Sequence, residues 1–121
     1  MQVNLRHKGS ITILDIAGKV IGADALALKK IIEEQVQIAD NPAEPREHLN
    51  LILNLERVQM MDSSGLGVLV AVYTSVRRTN GQVVLLNLGG NVRSLIVMAK
   101  LMTIFDCYDS EAEAIAGIMK S

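Results

Sequence analysis

The chain has little of several residue types on which whole classes of function depend. Its 121 residues include one cysteine, two histidines, two prolines, no tryptophan and only three other aromatic side chains. Cys107 alone cannot form an internal disulfide, and it shares no metal-site spacing with His7 or His48. We therefore predict a reducing environment, no metal and no cofactor, and we interpret Cys107 as a buried, unreactive thiol.

Long apolar runs and blocks of charge are also missing. No stretch of about 18 apolar residues is present, and the first residues lack a charged-then-apolar signal layout. We expect no membrane insertion and a cytoplasmic location. Twelve basic and thirteen acidic residues give a net charge of −1 without a basic patch, which argues against nucleic-acid binding. Half of the residues are apolar, and this length suits a single domain over residues 1–121.

The hydrophobic pattern predicts an α/β chain. Two alternating segments near the start indicate a hairpin, and later apolar runs alternate with segments of helical periodicity. The five predicted strands are 3–6, 11–16, 49–55, 82–88 and 103–108. The four predicted helices are 24–39, 64–78, 89–99 and 110–119. The order is β-β-α-β-α-β-α-β-α, and repeated β-α units favour parallel pairs, so we expect a mixed β-sheet of about five strands.

Local signals mark two of the predicted boundaries. Pro42 and Pro45 fall in a charged segment, 40–47, which we interpret as a surface loop. Ser110 and Glu113 have the spacing of a capping box and predict the start of the last helix.

The segment 61–67, Met-Asp-Ser-Ser-Gly-Leu-Gly, joins a predicted buried strand to a predicted buried helix. Free N–H groups and a partial positive charge at a helix start favour an anion, so a serine there could carry a phosphate at little structural cost. A plainer alternative remains open: Asp62, Ser63 or Ser64 simply caps the helix. The two glycines would then only allow close packing of the first helical turn.

Catalytic interpretations of this segment are weak. A nucleophile elbow requires a leading glycine and a histidine base, and neither accompanies Ser63. A dinucleotide fingerprint begins with Gly65-x-Gly67, but Val70 takes the third glycine position and Asn87 replaces the expected acidic residue. Weak nucleotide binding at Gly65–Gly67 is the enzymatic alternative.

From Leu51 to Gly67 the chain resembles the STAS domain family, specifically the bacterial anti-sigma factor antagonists. An apolar strand, a polar link and then Asp62-Ser63-Ser64-Gly65-Leu66-Gly67 carry the likeness. It continues into 81–87, 92–95 and 101–105 and covers nearly the whole chain. One departure is Lys19-Val20-Ile21-Gly22 after Gly18, where many members have an acidic residue.

The resemblance implies a STAS fold and a non-catalytic regulator that works by partner switching. The unphosphorylated domain would bind an anti-sigma factor with serine kinase activity and so release a sigma factor. Phosphorylation of Ser63 would end binding, and a serine/threonine phosphatase would restore it. The expected partner-binding residues surround the acceptor: Met60, Met61, Asp62, Ser64, Gly65 and Leu66.

At least one of Met60 and Met61 is expected to pack in the core, and Ser64 is expected to be a cap or a contact. The alternative role is that of a scaffold or accessory domain in a signalling assembly or beside a transporter. The sequence leaves the oligomeric state open.

Overall fold

The computed structural model describes residues 1–39 and 49–120. Its elements follow the predicted order, with one added 3-10 turn, Leu101–Thr103, before the last strand. The strands are β1 Gln2–Lys8, β2 Ile11–Val20, β3 Asn50–Met61, β4 Gln82–Leu86 and β5 Cys107–Tyr108. The helices are α1 Ala23–Ala39, α2 Ser63–Arg78, α3 Gly90–Met98 and α4 Glu111–Met119.

The five strands form one mixed sheet in the order β1-β2-β3-β4-β5. β1 and β2 are an antiparallel hairpin, and every later neighbour is parallel. Parallel neighbours require a crossover, which α1, α2 and α3 supply in turn. The carboxyl ends of β2 and β3 therefore lie side by side, with Val20 opposite Met61 in the register. This edge of the sheet positions the start of α2.

Each face of the sheet has its own apolar cluster. Alternate strand residues such as Leu14, Leu53 and Leu85 pack with α1, α2 and α3 in the larger cluster. The residues between them, such as Ile13 and Ile52, pack with α4 in the smaller one. The central strands are thus apolar on both faces, which explains the continuous apolar run predicted as a buried strand.

The two central strands are longer than predicted. The sequence places the end of the second strand before Gly18, but β2 continues to Val20. Gly18 has a φ of +95° and lies between two register shifts, so it forms a bulge that the strand passes through. β3 continues to Met61 instead of ending at Leu55, because four of its last six residues (Arg57, Val58, Met60 and Met61) pair with this extension.

The predicted strand 103–108 is wrong over most of its length. Lys100 adopts a left-handed conformation, with a φ of +61°, and residues 101–103 form the 3-10 turn. Phe105 then turns into the larger core, leaving only Cys107 and Tyr108 in β5. Core packing of the one phenylalanine thus overrides its strand preference. β4 also ends early, at Leu86, because Asn87 has a φ of +57°.

The remaining local predictions have mixed outcomes. Ser110 caps α4 by accepting a hydrogen bond from the Glu113 N–H, as the capping-box spacing predicts. Cys107 is half-buried, so the prediction of full burial is wrong, although burial raises the pKa of its thiol and disfavours the reactive thiolate. The predicted loop with Pro42 and Pro45, and His48, lie outside the described residues.

Candidate functional site

Asp62 is the N-cap of α2. It has an extended backbone, and its Oδ1 accepts hydrogen bonds from the Ser64 N–H at 3.0 Å and the Gly65 N–H at 3.2 Å. Asp62 also begins the helical hydrogen bonds, because its carbonyl accepts from the Leu66 N–H. Of the three residues that the sequence leaves as possible caps, Asp62 is therefore the one that caps α2. Of the two roles expected for Ser64, a cap or a contact, the structure excludes the cap, because the cap lies two residues before it.

Both serine side chains are exposed at the start of α2. Ser63 is the first helical residue and follows the cap directly, while Ser64 contributes its N–H to that cap. Two of the N–H groups at this helix start are therefore already bonded to a carboxylate. The Ser63 side chain takes no part in this cap.

Gly65 is required for close packing, whereas Gly67 is not. Gly65 is buried, and a Cβ built on it lies 2.9 Å from the Val20 carbonyl oxygen and collides with the Met61 side chain. Gly67 is exposed, and a Cβ there meets nothing within 4 Å. The packing explanation of the two glycines thus holds for Gly65 alone.

The two methionines before the cap point to opposite sides of β3. Met61 is 4% exposed and belongs to the larger core, as expected for at least one of the pair. Met60 is 48% exposed and lies opposite Lys19 in the β2–β3 register. Leu66 is half-buried against the core. Met60, Asp62, Ser63 and Ser64 therefore carry accessible surface, while Met61 and Gly65 hold the segment in place.

A groove between α1 and α2 is lined by Ser64, the residue after Ser63. It has a volume of about 440 Å³, and Leu26 at its side is 61% exposed. Its lining consists of Gly22, Ala25, Leu26, Lys29, Ser64, Gly67, Val68 and Ala71. The contribution of α1 to this surface was not predicted from the sequence. Gly67 and Ala71 are four apart on α2, and small residues at that spacing were the available sign of a groove.

A larger groove, of about 580 Å³, lies away from this segment. Its charged lining includes Arg6 and Asp15, which form an ion pair with each other at 2.6 Å. Two of its four charged lining residues therefore pair with each other; the other two are Glu56 and Arg57. In residues 1–39 and 49–120, no three His, Cys, Asp or Glu side chains are grouped to hold a metal ion. No helix in the same ranges is long and apolar enough to cross a membrane.

Comparison with known proteins agrees with this geometry. The STAS domain family model matches residues 2–114, so the chain belongs to the STAS domain family. An anti-sigma F factor antagonist from Paenibacillus polymyxa is 25% identical over 118 residues, which span 98% of this chain and 95% of that protein.

Two solved relatives show the same fold. An anti-sigma factor antagonist from Mycobacterium paratuberculosis has a TM-score of 0.81 at 22% identity, covering 98% of this chain and 93% of that chain. Unphosphorylated SpoIIAA, an anti-sigma factor antagonist, has a TM-score of 0.79 at 20% identity, covering 99% and 98%. The phosphorylated form of the Bacillus SpoIIAA has a TM-score of 0.72 at 19% identity, covering 97% and 99%.

Proposed function

We propose that this STAS domain is an anti-sigma factor antagonist switched by phosphorylation of Ser63. In this account the unphosphorylated domain binds an anti-sigma factor that is also a serine kinase. The bound sigma factor is then released. A serine/threonine phosphatase removes the phosphate and resets the domain, which acts as a substrate and performs no catalysis itself.

The exposure of Ser63 beside a cap made by another residue is the observation that carries this proposal. The Ser63 hydroxyl is accessible to a kinase, and the helix does not need it, because Asp62 supplies the cap. The surface that surrounds it is suited to a partner, since Met60 is exposed at the end of β3 and Leu26 is exposed in the α1–α2 groove, which Ser64 also lines. The relatives named as antagonists support the same role.

Charge explains why phosphorylation would end binding. A phosphoserine adds about −1.5 to −2 charges at neutral pH, directly next to the Asp62 carboxylate. In the free domain, water solvates both groups, so the fold is preserved. In a partly desolvated interface their repulsion is stronger, and a penalty of about 3 kcal/mol weakens binding roughly a hundredfold.

Ser63→Asp tests the separation of binding from folding. Calorimetric titration against a candidate anti-sigma factor should show at least about tenfold weaker binding, since aspartate carries less charge than a phosphate. The melting temperature should stay nearly unchanged. Ser10→Asp is the control, because Ser10 is exposed in the hairpin turn at the other end of the parallel strands. Equal binding by both variants, or unfolding of Ser63→Asp, would refute the proposal.

The scaffold or transporter-accessory role is less well supported. The relative matched over 98% of this chain is described as an antagonist of an anti-sigma factor.

The nucleotide-binding alternative has an obstacle in the structure, because the Asp62 carboxylate already accepts hydrogen bonds from the Ser64 and Gly65 N–H groups. A calorimetric signal with millimolar nucleotide would reopen that alternative.

A further inference from the structure

The outer edge of β1 is unusually open for an edge strand. Within residues 1–39 and 49–120, β1 pairs with β2 alone, and no described strand covers its other side. It has seven residues and no proline, and its register with β2 has no shift from Gln2 to Lys8. Edge strands are usually protected by shortness, proline, bulges or free charges. The opposite edge, β5, is protected by its length of two residues.

The charged side chains of β1 protect the edge only weakly, because Arg6 and Lys8 pair with carboxylates of the same chain and do not extend past the edge. Arg6 donates to Asp15 at 2.6 and 3.0 Å and to Glu111 at 2.6 Å, and Lys8 pairs with Glu111 at 2.7 Å. Both side chains are thereby drawn toward α4. The middle of the strand instead presents Leu5, which is 43% exposed.

We propose that β1 pairs antiparallel with β1 of a second copy, about a two-fold axis at Leu5. Directly opposite residues of two antiparallel strands point to the same face of the sheet, and side chains alternate between faces along each strand. When β1 pairs with its own copy, even-numbered residues must therefore lie opposite even-numbered ones. The axis at Leu5 pairs all seven residues and puts no two charged side chains opposite each other. The opposed pairs are Leu5 with Leu5, Asn4 with Arg6, Val3 with His7 and Gln2 with Lys8.

Neighbouring registers are worse for the same strand. An axis at Arg6 sets Arg6 directly opposite its copy, and like charges in that position destabilise a strand pair. An axis at Asn4 leaves Lys8 without an opposite residue and shortens the pairing. The Leu5 axis sets the exposed leucine opposite its own copy, whereas the Arg6 axis sets it opposite His7 and the Asn4 axis sets it opposite Val3 in the shorter pairing.

The resulting dimer is a continuous ten-stranded sheet. The two-fold axis reverses the strand direction of the second copy, so its Ser63 lies at the opposite end of the joined sheet. β3, which leads to Ser63, is separated from the new interface by β2. Both sites stay accessible, and the dimer presents two of them. This inference does not depend on the proposed phosphorylation.

Sedimentation of the purified chain from micromolar to millimolar concentration tests the dimer. The wild type should associate reversibly, and Leu5→Lys should raise the dissociation constant at least tenfold, because two lysines would meet at the axis. Leu26→Lys changes another exposed leucine, on α1, and should leave the constant unchanged. A wild type that is monomeric throughout, or equal effects of the two substitutions, would overturn the proposal.

Disulfide trapping tests the register itself in a Cys107→Ser background. Opposed residues in antiparallel strands have Cα atoms about 4.5–5.5 Å apart, within reach of a disulfide. Leu5→Cys should therefore cross-link under mild oxidation. His7→Cys should not, since the two copies of residue 7 would be about 14 Å apart along the strands. Equal cross-linking at both positions would refute the Leu5 axis.

Discussion

At the residue scale, neighbouring residues of the segment 61–67 have different structural roles, although the sequence alone does not distinguish them. Asp62 caps α2, Ser63 is free at the surface, and Gly65 makes room for Met61. Asp62 thus caps the helix, a role that Ser63 or Ser64 could also have had. The cap therefore does not depend on the Ser63 hydroxyl.

Substitution of the cap should show this division directly. Asp62→Ala removes the acceptor of two N–H groups and should lower the free energy of unfolding by about 1 kcal/mol. Ser64→Ala is the matched control and should change it by less than about 0.5 kcal/mol, because the cap uses only its backbone. Urea unfolding measures both. Comparable losses in the two variants would show that the serine side chain shares the cap.

The two glycines of the segment should respond in opposite directions to alanine. Gly65→Ala forces a Cβ toward the Val20 carbonyl and Met61, and should destabilise the protein by about 1–3 kcal/mol. Gly67→Ala meets open space inside a helix, so it should be neutral or stabilise by up to about 1 kcal/mol. Thermal unfolding of the two variants side by side checks the sign of each effect.

The residue-level roles could be predicted only in part. The serines and glycines of the segment 61–67 indicated the candidate site, but Asp62, Ser63 and Ser64 can all cap a helix. The choice depends on where β3 ends, and the sequence placed that end six residues early, at Leu55. The pairing of the extended β2 with β3 across the Gly18 bulge sets the true end, and it is a nonlocal contact.

At the element scale, a network of charges joins the β1–β2 hairpin to α4. Arg6 bridges Asp15 on β2 and Glu111 at the start of α4, and the Asn54 amide also donates to Asp15 at 2.8 Å. The hydrogen bonds from Arg6 lower the pKa of both Asp15 and Glu111. The network therefore stabilises the attachment of α4 only while both carboxylates are ionised.

Acid should remove this contribution. Since both carboxyl pKa values are lower in the folded state, the stabilisation is complete above the ordinary value of about 4 and is lost as the pH falls through the lowered values. Arg6→Met should reduce stability at neutral pH, and the difference from wild type should shrink toward zero in acid. Urea titrations from neutral to acidic pH measure this difference. A difference that stays constant would mean that Arg6 acts by packing alone.

Elements with strong local patterns were the ones predicted well. α2 has many β-branched valines, which left a strand possible for part of this run, yet its length and its polar side at Ser75, Arg77 and Arg78 indicated a helix correctly. The strand predicted at 103–108 failed because Phe105 packs into the core from a turn. Arg6 and Glu111 are 105 residues apart in the sequence, so no local sequence pattern predicts their contact.

At the scale of the whole molecule, the fold keeps the candidate switch separate from what holds the domain together. The sheet is buried between α1–α3 on one face and α4 on the other, whereas Ser63 lies exposed at the carboxyl end of β3. A charge added there changes the surface offered to a partner and leaves both cores intact. The order of elements predicted this arrangement, since crossovers in a parallel sheet place helix starts at that edge.

Mass spectrometry can identify the serine that carries the phosphate. The wild type, Ser63→Ala and Ser64→Ala would each be incubated with a candidate anti-sigma factor kinase and ATP. We expect a single phosphate on Ser63 in the wild type and in Ser64→Ala, and none in Ser63→Ala. Phosphate on Ser64, or equal labelling of Ser63→Ala, would rule out Ser63 as the switch.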